Sequence, residues 1–468
     1  MNYKEKLKEL AEKIKKQDDF VVVHHYDADG CSAGAIMYLA LKRLGKKVTK
    51  KWVKQLYQEN IQEIKGLGKN IIFVDFGSGQ LEFLKEAFGN NFFVFDHHEK
   101  TNVDHENHFS PFNFGINGGY EISASGISYL FAKELDEKNF DLCVLAIVGA
   151  TGDMQDYSGK LIGLNAQIVE EGKKYGLVKV ENDLRLYGRI SRPLTQFLAY
   201  TTSPILPELT GKEENCLAFL KDANIEIKDG DKWRTYSDLS FEEKKRLSTA
   251  LILHLNQFNV PEWKITELFG EVYVFTKEDP KSPLCEAKEY STLCNACGRH
   301  GKAEVAIEVC AGDREEYYKQ ALALMAQHRK ELREGIELVT NNGISEEKQF
   351  YYFDAKHQIQ ESIIGIIAGM LYGSSLIETN KPIIAIVHNS DGTIKISGRA
   401  TKDLVMKGVN LGKAFRKICK VLGQGAEGGG HAIAAGMKIK ENQLNEVLPK
   451  INETIKEQLE MPLQSDQK

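Results

Sequence analysis

Three short apolar runs, each closing on an acid, constrain this chain more than any other feature. Phe20-Val21-Val22-Val23 leads into His24-His25-Tyr26-Asp27-Ala28-Asp29-Gly30. Asn70-Ile71-Ile72-Phe73-Val74 ends in Asp75-Phe76-Gly77, and Asn91-Phe92-Phe93-Val94-Phe95 ends in Asp96-His97-His98. Runs this short, rich in β-branched and aromatic residues, read as buried strands, and the stretches between them carry helical periodicity. Buried strands alternating with helices predict an α/β fold on a doubly wound, mainly parallel sheet. A fourth run, Leu142 to Val148, passes through Gly149-Ala150-Thr151-Gly152 into Asp153, and its length leaves strand or buried helix open.

In a parallel sheet the carboxyl ends of the strands lie along one edge, where ligands bind. Asp27, Asp29, Asp75, Asp96 and Asp153 are therefore expected to converge. Any one of them reads equally well as a helix cap or turn residue. Together they would repel and raise one another's pKa, a problem that divalent cations remove. Carboxylate and imidazole together suit an ion such as manganese. Asp96-His97-His98 alone fits a solvated loop as well as a ligand set, and the repeated pattern is what points to a metal site.

The remaining chain is organised around that core. At 468 residues it is too long for one hydrophobic core, so two or three domains are expected. A formal net charge of −5 means that a nucleic-acid partner needs a local basic groove. The eight cysteines show no disulfide-framework spacing. The charged N-terminal stretch, with Leu7, Leu10, Ala11 and Ile14 on one helical face, lacks an apolar signal core, and no later run spans a bilayer. A cytoplasmic protein without membrane contact is expected.

From about Asn182 the texture changes. Six of the ten prolines fall between Pro193 and Pro283, interleaved with helical pieces such as Phe241–Gln257. This reads as an inserted helical module, with Trp233, Tyr236 and Trp263 as core or interface residues. Cys294 and Cys297, with Cys285, His300 and Cys310 nearby, suggest zinc, but a structural site needs four ligands and no second CxxC is present. Buried thiols are the preferred reading. Gly312 to about Leu338 reads as a long amphipathic helix with His328 at its surface or boundary.

The C-terminal third has the pattern of a smaller α/β unit. Helices are expected at 360–371 and 411–422, strands at 382–387, 393–397 and 437–439, a closing helix from Glu441 and a frayed tail over 462–468. Between them, Gly428-Gly429-Gly430-His431 permits close backbone approach, with successive N–H groups aimed at one anion. His431 and Arg399 are natural phosphate contacts, Arg399 bidentately. The boundaries expected are 1–185, 186–290 for the insertion, 291–345 for a connector with the long helix, and 346–468.

In order, His25 to Gly30, Asp75, Asp96-His97-His98 and Asp153 resemble motifs I to IV of the DHH phosphoesterase superfamily. Arg399 with Gly428 to His431 resembles that superfamily's C-terminal, DHH-associated substrate domain. Asn295-Ala296-Cys297-Gly298-Arg299 is similar to a stretch of archaeal RecJ-like nucleases. The resemblance covers about residues 20 to 440. It implies two Mn²⁺ (or Mg²⁺) held by Asp27, Asp29, Asp75, His97 and Asp153, with Asp75 bridging. His25 stands where bacterial RecJ has an Asp and is a further candidate ligand. His98 is implied as a substrate contact and Asp96 as its support.

The activity implied is hydrolysis of single-stranded DNA or RNA to mononucleotides in replication or repair. Within the same chemistry the rivals are short oligonucleotides, cyclic dinucleotides and pyrophosphate. The rival from another class is a catalytically silent replisome scaffold. Archaeal relatives include the GINS-associated nuclease, which places its partner-binding insertion where residues 200–285 fall here. GINS and the replicative helicase are therefore expected partners beside single-stranded nucleic acid.

Overall fold

The computed structural model describes residues 2–99, 103–201, 204–373 and 376–460, so the tail expected at 462–468 lies outside the described residues. It divides into two units. One comprises residues 1–197 and 217–326, the other residues 198–216 and 327–468.

The first unit opens with helix α1 (Tyr3–Lys15), set by an Asn2–Glu5 capping box, which buries Leu7, Leu10, Ala11 and Ile14. Strand β1 (Asp19–His25) and helix α2 (Ala28–Arg43) follow, then β2 (Lys47–Val53), α3 (Gln58–Leu67), β3 (Asn70–Val74), α4 (Leu81–Phe88), β4 (Phe92–Phe95) and β5 (His108–Phe109). The five strands form one sheet in the order β2-β1-β3-β4-β5, with every pairing parallel. Alternation along β1 feeds two cores: Phe20 and Val22 face one, Val21 and Val23 the other. A strand buried on both faces must be apolar throughout, which explains the unbroken Phe-Val-Val-Val run.

Two strands carry no such signal. β2 is an edge strand of sequence KVTKKWV. Its lysines suit an unpaired edge, which they keep from recruiting other strands, and they dilute the apolar pattern. β5 has only two residues.

The fourth apolar run is a helix. After α5 (Ala124–Leu135), α6 covers Cys143–Gly152. It is apolar on nearly all sides, as a fully buried helix must be. A Cβ on Gly149 would lie 2.1 Å from Ser125 Oγ, and one on Gly152 would lie 2.6 Å from Ala28 Cβ. Small residues let α2, α5 and α6 pack close together, and Asp153 reaches the site from a helix C-terminus rather than a strand end.

The insertion pairs strands Val178–Leu184 and Phe269–Phe275 antiparallel, with the capped helix Phe241–Gln257 between them. Tyr236 is buried, whereas Trp233 and Trp263 are exposed, so neither tryptophan is a core residue. Helices Ala287–Arg299 and Ala303–Cys310 complete this unit.

The long helix is Glu316–Asn342, and the division between the units falls within it. His328, expected at the surface or boundary of this helix, is buried. The second unit is a six-stranded mixed sheet. Its strand Ile383–His388 alternates between two cores, Ile384 and Ile386 in one, Ile383, Ala385 and Val387 in the other. No helix among the described residues is long and apolar enough to cross a membrane.

Candidate metal centre

Asp27 caps α2, its Oδ1 accepting the Gly30 N–H at 2.9 Å. The cap reading and the ligand reading are therefore compatible, because Oδ2 turns instead to His25 Nδ1 at 2.8 Å. Asp29, in the first turn of α2, is buried. It accepts Ala124 N–H at 2.7 Å and Ser125 N–H at 3.0 Å, the free donors of the α5 N-terminus. Asp75 follows β3 with φ +68°, a left-handed conformation uncommon for non-glycine residues and best tolerated by Asn and Asp.

His97, buried after β4, is the hub. Its Nδ1 lies 2.7 Å from Gly118 O, and since a carbonyl only accepts, Nδ1 carries the proton. Nε2 is then the free electron pair, 3.3 Å from Asp75 Oδ1 and 3.9 Å from Asp29 Oδ2. Asp153 Oδ2 lies 3.8 Å from the same ring. Gly118 has to be glycine, because a Cβ there would fall 1.8 Å from His97 O.

Asp96 plays a different part. It is buried, with Oδ2 accepting Ser78 N–H at 2.8 Å and Oδ1 accepting both His98 N–H at 3.1 Å and His98 Nδ1 at 2.8 Å. His98 itself is exposed. The tripeptide thus separates into an inward imidazole, a buried acid and an outward imidazole.

Electrostatics follow from this crowding. Burial, then the Asp75 carboxylate, pushes Asp29 up to about 7. Burial also raises Asp153, which caps the C-terminal, negative end of α6. Burial opposes charge on His97, but Asp75, Asp153 and Asp29 raise it well above its ordinary value. His25 rises in the same way, against burial, through Asp27 and Asp75. Burial likewise opposes charge on His98, yet the hydrogen bond to Asp96 brings it to about 9. Positive charge is drawn to one point from every side.

Three ligand groups have donor atoms within 4.8 Å of one another: Asp75, His97 and His98; His25, Asp27 and Asp75; Asp29, His97 and Asp153. Asp75 and His97 each belong to two of them, and Asp75 alone offers two donors, Oδ1 3.3 Å from His97 Nε2 and Oδ2 3.4 Å from His25 Nδ1, as a ligand shared by adjacent ions requires. Carboxylate and imidazole donors suit hard to borderline divalent cations. The residues present fit such ions.

Several supporting residues were missed from sequence. Gln155, fully buried, donates from Nε2 to Gly118 O at 2.8 Å and to Asp153 Oδ2 at 3.0 Å, while Asn165 holds its Oε1 at 2.6 Å. It thereby ties Asp153 to the carbonyl that orients His97. Asn295 Oδ1 accepts Ala28 N–H at 3.0 Å, between the two motif-I acids. A Cβ on Gly298 would fall 1.9 Å from Tyr26 O, so this helix abuts the same loop. The Asn295-to-Arg299 stretch was a signal for these contacts, whereas Gln155 had only its position after Asp153.

The cysteines are buried thiols. All eight are free and buried, and although Cys294 and Cys310 Sγ lie 3.6 Å apart, no metal-ligand group among the described residues includes a cysteine.

In the second unit, the three glycines form an edge strand, Glu427–Gly430, rather than a loop nest. Gly428, Gly429 and Gly430 pair with Met437, Gly436 and Ala435. Arg399 pairs with Ala434 on the opposite side of that neighbouring strand, and His431 N–H bonds Ala434 O at 2.9 Å. One end of the sheet thus brings together Arg399, Gly430 and His431, with the His431 side chain exposed. A glycine edge strand leaves its outer row of backbone groups open to a ligand.

Comparison with known proteins agrees with this architecture. Residues 19–149 match the DHH family, N-terminal domain; residues 186–269 match the DHH-CID domain; residues 347–457 match the DHHA1 domain. An uncharacterized protein of Methanocaldococcus jannaschii is 34% identical over 473 residues, 97% of this chain and 99% of the relative. Among solved structures, CDC45 from Entamoeba histolytica aligns with TM-score 0.65 at 14% identity, over 97% of this chain and 98% of that one. RecJ from Thermus thermophilus, in complex with Mn²⁺, aligns with TM-score 0.60 at 16% identity over 98% of this chain. The chain spans 55% of the length of that RecJ. At these identities the structural likeness shows fold. The chain belongs to the DHH family and carries DHH, DHH-CID and DHHA1 domains.

Proposed function

We propose that the protein is a two-metal phosphodiesterase that releases mononucleotides from single-stranded DNA or RNA. The observation that carries this reading is the sharing of Asp75 and His97 between ligand groups. Asp27, Asp29, Asp75, His97 and Asp153 would hold two Mn²⁺ or Mg²⁺, with His25 a further ligand. Such a pair, when bound, activates water and neutralises the oxygens of an in-line displacement at phosphorus. The Mn²⁺ complex of the similarly folded Thermus RecJ supports manganese.

The chain's own residues prepare the substrate. His98, protonated at neutral pH, donates Nδ1–H to Asp96 and has Nε2–H left for a phosphate oxygen. Asp96 keeps the ring turned outward and balances its charge. Arg399, Gly428, Gly429, Gly430 and His431 would bind a further phosphate.

A second reading, a partner-binding scaffold, is favoured by the CDC45-like fold and by the exposed Trp233, Phe241 and Trp263 of the insertion. GINS is the partner that this reading names. One experiment separates the two. Asparagine tolerates the left-handed backbone at position 75, so Asp75→Asn should fold. Wild-type protein should release mononucleotides from end-labelled single strands with Mn²⁺ and none with EDTA, and Asp75→Asn should fall to background. A wild type that releases nothing under these conditions leaves the scaffold reading standing.

A further inference from the structure

The helix Leu411–Leu422 divides by face. Leu411, Ala414, Phe415, Ile418 and Cys419 are buried in the core of the second unit. Lys413, Arg416, Lys417 and Lys420 are exposed, and their spacing of three and four residues places them on one stripe. Like charges at that spacing weaken a helix unless something outside it compensates. Lys417 pairs with Glu457, whereas Lys413, Arg416 and Lys420 meet no carboxylate among the described residues.

The lysines of the edge strand β2 behave differently. On β2, Lys47, Lys50 and Lys51 pair with Asp19, Glu308 and Glu63. In a chain with net charge −5, the stripe gathers on one helix face three cations that meet no carboxylate among the described residues.

The stripe also lies beside the glycine strand. A Cβ on Gly412 would fall 2.0 Å from Gly430 O, and one on Gly428 would fall 2.7 Å from Cys419 Sγ. Arg416 Nη1 donates to Gly430 O at 3.3 Å. Helix and strand therefore run side by side. Lys413 to Lys420 covers about 10 Å of helix axis, and the strand covers about 13 Å.

We infer that Lys413, Arg416 and Lys420 form a track for the sugar-phosphate backbone of a polynucleotide, extending the phosphate contact of the glycine strand along the helix. The inference rests on the phosphodiesterase reading and narrows its substrate to strands longer than a dinucleotide. Fixed cations facing a polyanion release its condensed counterions, so their contribution is read directly from salt dependence.

The test is binding of a long fluorescein-labelled oligothymidylate to the full chain in EDTA, across a sodium chloride series. For the Lys413→Ala/Lys420→Ala double variant, the slope of log affinity against log salt should shrink by about 1.4, at about 0.7 per lost contact. Lys413→Arg/Lys420→Arg should keep the wild-type slope, and unchanged melting temperatures confirm folding. Equal slopes and affinities for wild type and the alanine variant overturn the track. A wild type that hydrolyses a dinucleotide with Mn²⁺ yet does not bind the long strand overturns the track and leaves the phosphodiesterase reading intact. A wild type that binds with the predicted slope loss in the variant, yet hydrolyses nothing, supports the track and overturns the activity.

Discussion

Gln155 supports the candidate site without being one of its candidate ligands. Its amide donates at once to Asp153 and to the carbonyl that fixes the His97 tautomer. Groups that orient metal ligands typically change affinity by about 10–100-fold when removed. Gln155→Leu should therefore weaken Mn²⁺ binding by that order in isothermal titration, and Gln155→Glu, which adds a carboxylate beside Asp153, should weaken it too. Unchanged affinity in both folded variants would show that Gln155 only fills space. The ligand candidates themselves were legible in the sequence, because Asp27, Asp29, Asp75 and His97 follow apolar runs or open a helix at one sheet edge. Gln155 was not, since its importance comes from Gly118 and Asn165, which are distant in sequence. The division of labour between His97 and His98 was implied only by family resemblance. The structure shows an inward ring bonded to a carbonyl and an outward ring bonded to Asp96.

At the level of elements, apolar runs bounded by polar residues were readable and diluted or very short strands were not. β1, β3 and β4 are continuous hydrophobic strands. β2 is lysine-rich because it lies at the edge, and β5 is too short to show a pattern. The run 142–148 could not be decided from periodicity, since a fully buried helix and a fully buried strand are both apolar throughout. The helix Ala287–Arg299 carries a further testable feature in its cap, Glu286. This buried carboxyl accepts Lys288 N–H at 3.0 Å, and burial, then the Glu289 carboxylate, pushes it up to about 7. A folded pKa above the unfolded value means that the folded state holds the proton more tightly. Stability from this group is fully present below the unfolded pKa, near 4.5, and is lost as pH rises through about 7. Glu286→Gln keeps the cap acceptor without the titration. It should flatten the fall in stability between those limits by roughly 1–3 kcal/mol and exceed wild type above them, measured by urea denaturation. Parallel pH profiles for the two proteins would contradict this account.

At the scale of the whole molecule, the chain places a carboxylate-imidazole centre in one unit and a glycine edge strand with Arg399 and His431 in the other. The DHH-CID match starts at residue 186 and the DHHA1 match at residue 347. Contacts divide the chain differently, because residues 198–216 pack with the second unit and 217–326 with the first. Sequence texture could not reveal that interleaving, which depends on where each segment finds its core. What unites the account is the claim that Asp75 bridges two divalent ions, one of them also held by His97 through Nε2. Manganese titration followed by electron paramagnetic resonance tests it most directly, on wild type and Asp75→Asn near neutral pH. The account predicts two bound Mn²⁺ per wild-type chain and the loss of at least one in Asp75→Asn. Wild-type protein that binds fewer than two, or an Asp75→Asn variant that still binds both, would contradict it.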